Sequence, residues 1–212
     1  MIYIKKQPCP SCLENYKSKR ISSFKHMSLK EPNVKQELRI SLLIEQGYVC
    51  AYCGSKIDET ESIIEHIKCR QNYPELQLEY TNLICSCRGG SNKRSSNPQY
   101  PLHCDAHKGA DDIPISPLTE NCQELFVYDE NGEIHDNDNH DAKKTIEVLN
   151  LNNKILQNRR KAAIAAYKYL NESDVNYWAE ELQKIYDNQE HHFKEFCFVL
   201  EYYIRNYKLQ HY

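Results

Sequence analysis

The chain has 212 residues, of which 40% are hydrophobic and 27% charged, a balance that excludes a disordered chain. No apolar run approaches the roughly 20 residues that cross a bilayer, and positions 1–7 lack the apolar stretch of a secretory signal. We therefore expect a cytoplasmic protein without a membrane partner. The formal net charge of -3 does not indicate nucleic-acid binding, which depends instead on local clusters of Lys and Arg.

In the first half, residues 1–33 are predicted to be irregular, because three prolines interrupt a segment rich in Ser and Lys. Residues 34–46 are predicted to form a helix that Gly47 ends, since apolar residues recur there at helical spacing. These residues are Val34, Leu38, Leu42 and Leu43.

Residues 110–145 are polar, with one predicted strand at Leu125–Tyr128 and a turn at positions 131–132. The stretch from Glu133 to Lys144 is rich in Asp, Asn and His, so we expect a loop.

The pattern becomes helical from Thr145, and a last helix is predicted for Glu190–Lys208. The predicted apolar face of the earlier helical segment consists of Ile155, Leu156, Ala162, Ala163, Ala166 and Tyr167. In the last helix, the apolar residues at three- and four-residue steps are Phe193, Phe196, Leu200, Tyr203, Ile204 and Tyr207. We interpret both faces as packed core or a partner surface.

Eight of the ten cysteines lie between Cys9 and Cys104, which places any metal chemistry in the first half. Cys50 and Cys53 are separated by two residues and followed by Gly54, a spacing that lets two thiolates bind one tetrahedral Zn²⁺ ion. Four thiolates complete such a site, and the candidates for the second pair are Cys85, Cys87 and Cys104. The side chains of Cys85 and Cys87 point to the same face of an extended strand, but a second ligand pair normally needs a knuckle, so we expect only one of them to join Cys104. The alternative is a set of buried free thiols.

Cys9 and Cys12 have the same spacing, but no second pair is evident for them. The cysteines left over are Cys69, Cys85, Cys122 and Cys197. We make no metal prediction at Cys9 and Cys12.

Glu65 and His66 follow two isoleucines and precede a third, which predicts a half-buried strand that presents an acid beside an imidazole. The dipeptide carries little information alone, but its place after the Cys50–Cys53 pair is informative. Later in the chain come Asn82 with Leu83, then a final group of polar residues. That group is His103, Cys104, Asp105 and Lys108, followed by Gly109.

This order resembles the HNH endonucleases of the ββα-metal fold. The resemblance implies an α+β protein with a zinc-stapled ββα-metal core, in which Cys87 and Cys104 form the second zinc pair with Cys50 and Cys53. Two departures from the family pattern stand out. A long insertion, 88–103, separates the second cysteine pair, and Asp105 replaces the usual asparagine.

More closely, the chain resembles the PtuB group of HNH nucleases, which belongs to Septu and retron-associated antiphage systems. The similar parts are the first six residues, the Cys50–Cys53 segment, His103 to Asp105, and Leu149 to Asn152 followed by Arg159. The resemblance implies a PtuA-like ATPase partner. In retrons it also implies a reverse transcriptase with its DNA–RNA product.

The resemblance assigns a role to each residue of the site. His66 is the general base, because its unperturbed pKa lies near neutrality. Glu65 and Asp105 are expected to bind a catalytic Mg²⁺ or Mn²⁺ ion through hard oxygens. Asn82 is expected to brace the loop that orients His66; the alternative is an ordinary turn residue. His103 and His107 rank below Asp105 as further metal ligands, with His107 above His103.

A local basic patch surrounds these motifs and is predicted to bind nucleic acid, either DNA or RNA. It consists of Lys68, Arg70, Arg88, Lys93, Arg94 and Lys108. Gly89 and Gly90 lie in the insertion, where exposed amides can approach a phosphate backbone.

Taken together, the residues predict a metal-dependent HNH endonuclease that hydrolyses phosphodiester bonds. A nuclease core with an N-terminal arm is predicted for 1–110, and a mainly helical support or partner-docking region for 111–212. The alternative function is a non-catalytic zinc module that binds nucleic acid or protein. A redox switch at the cysteine pairs is disfavoured, because no thioredoxin-like βαβ pattern surrounds them.

Overall fold

Three helices precede the cysteine-rich segment: α1 (Ser11–Lys17), α2 (Phe24–Lys30) and α3 (Pro32–Glu45). They are seen in a computed structural model that describes residues 1–94, 97, 99–170, 174–186 and 192–209. The prediction of an irregular 1–33 segment is therefore wrong. Its prolines begin helices rather than interrupt them, since Pro10 is the N-cap of α1 and Pro32 opens α3. Ser23 caps α2 by accepting a hydrogen bond from the backbone of His26.

The helix predicted at 34–46 is confirmed as α3, and Gly47 lies just beyond its end. Gly47 has a φ of +61°, a conformation that glycine adopts without strain. A Cβ atom there would lie 2.2 Å from the ring of Phe193, so the close approach also requires glycine. The backbone of Phe193 donates to the Gly47 carbonyl, which attaches the end of α3 to the C-terminal segment.

An antiparallel hairpin follows, formed by β1 (Ser62–His66) and β2 (Leu83–Cys87). Its register pairs Ser62 with Cys87 and His66 with Leu83. The connection between the strands contains short 3₁₀ turns at Pro74–Leu76 and Tyr80–Asn82. Glu65 and His66 therefore lie at the end of a buried strand, as the apolar residues before them predict.

After β2 come α4 (Ser91–Arg94) and the one-turn helix α5 (Asp105–Lys108). The backbone of His103 donates to the Gly89 carbonyl, so the two ends of the 88–103 insertion meet. A Cβ on Gly89 would lie 2.0 Å from the His103 carbonyl oxygen, which explains the glycine. The insertion thus leaves Cys87 and Cys104 close together despite their separation in sequence.

The second half contains a small hairpin and four helices within the described residues. Its elements are β3 (Val127–Tyr128), β4 (Ile134–His135), α6 (His140–Val148), α7 (Lys154–Lys168), α8 (Val175–Tyr186) and α9 (Cys197–Tyr203), which a π-helical turn continues over Ile204–Lys208. The strand predicted at 125–128 is shorter than expected, because a 3₁₀ turn occupies Cys122–Leu125.

Two predictions in this half are wrong. The segment 133–144 is not a loop, since it contains β4 and the first turns of α6, which Asn139 caps. The last helix begins at Cys197 rather than at position 190, because Phe196 has a left-handed backbone that starts a new helix. Positions 190 and 191 lie outside the described residues.

Buried hydrophobic residues from Met1 to Ile204 form one connected cluster, and the α+β class is confirmed. The division at residue 110 stays a prediction, although its two sides share this core. In the part of the chain that the structure describes, no helix has both the length and the apolar character of a membrane span.

The buried face of α7 differs from the predicted one, because a charged residue lies at its centre. Arg160 is fully buried, and its guanidinium donates to the carbonyls of Gly132 and Leu151 at 2.6 and 2.9 Å. It thereby connects α7 to the β3–β4 turn and to the segment before α7. Ala162 and Ala166, which the apolar pattern placed inside, are exposed.

We expect Arg160→Ala to lower the free energy of unfolding by at least about 2 kcal/mol, because it removes charged donors from buried carbonyls. Urea denaturation followed by circular dichroism measures the change. Lys161→Ala, at the exposed neighbouring position, is the control and should stay within about 0.5 kcal/mol of wild type. An equal, small effect of both substitutions contradicts this role for Arg160.

Candidate metal centre and active-site cleft

Cys50, Cys53, Cys87 and Cys104 form a cluster whose sulfur atoms all lie within 4.8 Å of one another. Two sulfur–sulfur distances, Cys50 to Cys104 and Cys53 to Cys87, are 3.9 Å. Sulfurs around a tetrahedral zinc ion are about 3.8 Å apart, given the usual Zn–S bond length. The cluster therefore has the donor type and spacing to hold one metal ion.

Local backbone geometry explains why the first cysteine pair points inward. Gly54 has a φ of +78°, and its amide donates to the Cys50 carbonyl at 2.9 Å, which closes a tight turn. The amide of Cys87 donates to the Cys50 sulfur at 3.3 Å. Hydrogen bonds from the other three thiols hold the pKa of Cys53 well below its usual value, so this residue favours the thiolate form.

Cys104 is held from the C-terminal half of the chain. Its backbone amide donates to the Leu149 carbonyl at 2.9 Å, and the side chain of Asn150 donates to the Leu102 carbonyl at 2.7 Å. The segment after α6 therefore fixes the last cysteine of the cluster, and with it the start of α5.

Glu65 and Lys108, which are buried, and the half-buried Asp105 form a group of ionisable side chains between β1 and α5. The Lys108 ammonium lies 2.9 Å from Glu65 Oε1 and donates to the His66 carbonyl at 3.2 Å. Tyr52 also donates to Glu65 Oε1, at 3.2 Å. Burial, together with the nearby Asp105 carboxylate, raises the pKa of Glu65 to about 8. Two neighbouring carboxylates of this kind could hold a cation.

His66 lies beside this group with one ring nitrogen already committed. Its Nε2 is 3.0 Å from the Gln77 carbonyl, which only accepts, so Nε2 carries the proton and Nδ1 keeps a lone pair. Phe24 packs against the imidazole edge-to-face, with ring centroids 4.5 Å apart. Burial lowers the pKa of His66 to about 4, which leaves the ring neutral at pH 7.

Asn82 braces the loop between the strands. Its side-chain oxygen accepts from the amide of Lys68, and its side-chain nitrogen donates to the carbonyls of Lys68 and Leu76. Because Leu76 directly precedes Gln77, these bonds also fix the carbonyl that orients His66.

His103 and His107 both lie away from the Glu65–Asp105 pair. His103 is buried with Nδ1 3.3 Å from the Cys104 sulfur, and thus flanks the sulfur cluster. His107 is exposed, and its Nδ1 donates to the Val148 carbonyl at 2.9 Å. Neither lines the cleft that contains His66.

The side chains of the predicted basic patch differ in their contacts. The Lys68 ammonium pairs with Asp112 at 2.9 Å, Arg88 donates to the Thr60 carbonyl, and Lys93 lies 5.6 Å from the Tyr100 ring. Arg70 lines the cleft with His66, whereas the side chain of Arg94 lies outside the described part of the chain.

Lys108 differs most from the expectation. It is 2% exposed, and its ammonium contacts Glu65 and the His66 backbone, so it cannot reach a phosphate on the surface. We therefore correct its expected role from nucleic-acid contact to internal counter-ion of Glu65.

The cleft also contains residues that the motif analysis did not identify. Lys35 and Arg39 of α3, together with Phe24 of α2, line it beside Glu65, His66 and Asp105. The spacing of Lys35 and Arg39 was a signal in the sequence, because residues four apart on a helix share a face. The sequence analysis considered only the apolar residues of this helix.

Curated proteins provide an independent comparison. A protein of Vibrio cholerae serotype O1 biovar El Tor, named as an HNH endonuclease of retron Vc95, is 29% identical over 184 residues, which cover 80% of this chain and 85% of the relative. The Septu protein PtuB of Bacillus thuringiensis is 27% identical, over 72% of this chain and 55% of PtuB. The predicted resemblance to HNH endonucleases and PtuB is confirmed.

A third relative, named as an HNH endonuclease of retron Ec83 from Escherichia coli, is 29% identical over 59% of this chain and 64% of its own length. The alignments with PtuB and with the retron Ec83 protein thus span less than two thirds of each relative's length. No family model matches the chain.

The environment of His66 predicts a pH dependence of stability. Its pKa is about 4 when folded and about 6.5 when unfolded, so the unfolded chain binds the extra proton between these values. The His66 contribution to stability is therefore lost as pH falls through this window, by up to about 2 kcal/mol between pH 7 and pH 5, whereas Glu65, whose pKa is raised, contributes in the opposite direction. Urea denaturation at both pH values measures the net change.

The comparison that isolates this effect uses His66→Gln. Other titrating groups remain in the variant, so its loss between pH 7 and pH 5 should be smaller than that of the wild type by the His66 contribution. The same loss in both proteins contradicts a neutral, buried His66.

Proposed function

We propose that this chain is a metal-dependent HNH endonuclease in which β1, β2 and α5 form the ββα-metal unit. The observation that carries the proposal is the position of His66, whose Nδ1 keeps a free lone pair beside the Glu65–Asp105 pair. The hairpin that holds these residues adjoins the four-cysteine cluster. The names of the relatives support the same activity.

In this proposal, Zn²⁺ is bound by Cys50, Cys53, Cys87 and Cys104 in a structural role. The fit rests on four buried or half-buried sulfurs with tetrahedral spacing and no open ligand position. The amide of Cys87, which donates to the Cys50 sulfur, stabilises the thiolate form as outer-shell donors do.

Glu65 and Asp105 would hold a Mg²⁺ or Mn²⁺ ion, which when bound supplies positive charge that stabilises the phosphate oxygens. The raised pKa of Glu65 is in keeping with this fit: burial is its first cause and the neighbouring Asp105 carboxylate the second, and a divalent cation would offset both. Lys108 supplies only part of that charge, since its ammonium contacts Glu65.

His66 is the general base of the proposed reaction. Its Nδ1 accepts a proton from a water molecule as the water oxygen attacks phosphorus and the bond to the leaving oxygen breaks. The Gln77 carbonyl fixes the tautomer that makes this possible, and Asn82 braces the loop that carries Gln77.

The biological setting rests on the relatives. One is a Septu protein and two are named for retrons, which supports a role as the effector nuclease of an antiphage system. We propose a PtuA-like ATPase as the partner, and in a retron setting a reverse transcriptase with its DNA–RNA product. The substrate is a nucleic acid, DNA or RNA.

We expect His66→Ala to reduce cleavage about 10²–10⁴-fold, the usual contribution of a general base, while zinc content and melting temperature stay near wild type. The assay compares double-stranded DNA, single-stranded DNA and RNA, with and without Mg²⁺ and with the purified partner. His140→Ala, at an exposed position on α6, is the matched control and should cleave normally. Unchanged cleavage in His66→Ala would favour the non-catalytic zinc module.

We expect Cys50→Ser to lose stoichiometric zinc and to lower the melting temperature, because three thiolates bind the ion less tightly than four. Elemental analysis of the purified protein measures the metal. Cys85→Ala is the control, because Cys85 is buried on β2 outside the cluster and should leave zinc bound. Equal zinc content in the two variants argues against the four-cysteine site.

A further inference from the structure

Three cations lie on one side of the cleft that contains His66 and Asp105. Lys35 and Arg39 project from α3, and Arg70 follows β1 on the connecting loop. Within the residues that the structure describes, none of the three forms an ion pair with a carboxylate. This distinguishes them from Lys68 and Lys108, whose ammonium groups lie against Asp112 and Glu65.

The three positive charges are close enough to repel one another. Burial and then the charges of Arg39 and Arg70 lower the pKa of Lys35. Arg39 donates to the Glu59 carbonyl at 2.8 Å, but its buried Nε has no hydrogen-bond partner in the described structure. A cluster of like charges with no ion pair among the described residues, and with a buried donor unsatisfied, favours the binding of an anion.

Phe24 fixes the positions of two of these cations relative to the imidazole. The Lys35 ammonium lies 5.8 Å and the Arg70 guanidinium 4.9 Å from the centroid of the Phe24 ring, which also packs against His66. The backbone amide of Phe24 donates to the side chain of Gln77, whose carbonyl holds His66. The cations and the imidazole are thus anchored to the same aromatic ring.

We propose that Lys35, Arg39 and Arg70 form a phosphate-binding wall, which binds the nucleic-acid backbone beside the phosphate to be cleaved. The inference rests on the proposed function and adds residues that the HNH motif does not contain. Backbone phosphate is the ligand that fits, because the cleft offers cations and no aromatic face free for a base: Phe24 is 6% exposed. The wall binds DNA or RNA without reading sequence.

The test measures binding without cleavage. Fluorescence anisotropy of labelled single- and double-stranded oligonucleotides, in buffer without added divalent cations, gives the affinity of the full chain at several salt concentrations. Lys35→Gln and Arg70→Gln should each weaken binding roughly three- to tenfold and lower the slope of log affinity against log salt by about 0.7–0.9. Lys35→Arg, which keeps the charge, should restore both.

Lys144→Gln is the matched control, because Lys144 is exposed on α6 and does not line the cleft. It should keep the wild-type affinity and slope. Slopes in Lys35→Gln and Arg70→Gln equal to that of the wild type overturn the proposal, and so does a wild-type chain that binds neither oligonucleotide.

The outcome is separable from that of the nuclease assignment. Loss of cleavage in His66→Ala together with unchanged slopes in the wall variants would refute the wall alone. Lower slopes together with full cleavage in His66→Ala would support the wall and refute the general base.

Discussion

The four-sulfur cluster is the constraint on which the site depends. Cys87 ends β2 and pairs across the hairpin with the first residue of β1, while Cys104 directly precedes Asp105. The cluster that gathers these cysteines therefore also sets the distance between β1, which carries Glu65, and α5, which carries Asp105. The 16 residues of the 88–103 insertion leave this distance unaffected, because the hydrogen bond between Gly89 and His103 closes them into a separate loop.

Two buried cations, Lys108 and Arg160, lie near this cluster and contact partners inside the protein. Lys108 lies against Glu65 and offsets part of the effect of burial and of Asp105, which raise the pKa of this carboxyl. Arg160 is near enough to Cys53 and Cys104 for their negative charges to act on its pKa, which burial lowers. A zinc ion bound by these four thiolates would carry a net charge of -2, and the buried guanidinium would offset part of it. Both cations have internal partners, whereas the three cations on the cleft wall have none among the described carboxylates.

The sequence was most informative where chemistry restricts the residue type. The cysteine spacing predicted the Cys50–Cys53 pair, the resemblance to HNH endonucleases implied Cys87 and Cys104 as the second pair, and the apolar residues before Glu65 predicted the strand that presents His66. The sequence was least informative where tertiary contacts decide whether a side chain is buried. Lys108 and Arg160 are residue types usually found on the surface, but both are buried here, because each donates hydrogen bonds to carbonyls that lie far away in sequence. The prolines of 1–33 were misinterpreted, since a proline that interrupts a helix and one that begins it look alike without the neighbouring caps.

The orientation of the imidazole depends on segments outside the motif. His66 is held by the Gln77 carbonyl on one side and by the Phe24 ring on the other, and the amide of Phe24 in turn donates to the Gln77 side chain. Three residues from α2, β1 and the loop between the strands therefore position one another in a closed set of contacts. Because α2 belongs to the N-terminal arm, this arm is part of the cleft rather than an appendage. In the proposed function, the HNH motif supplies the groups that react, and helices α2 and α3 supply the surface that positions them beside a phosphate.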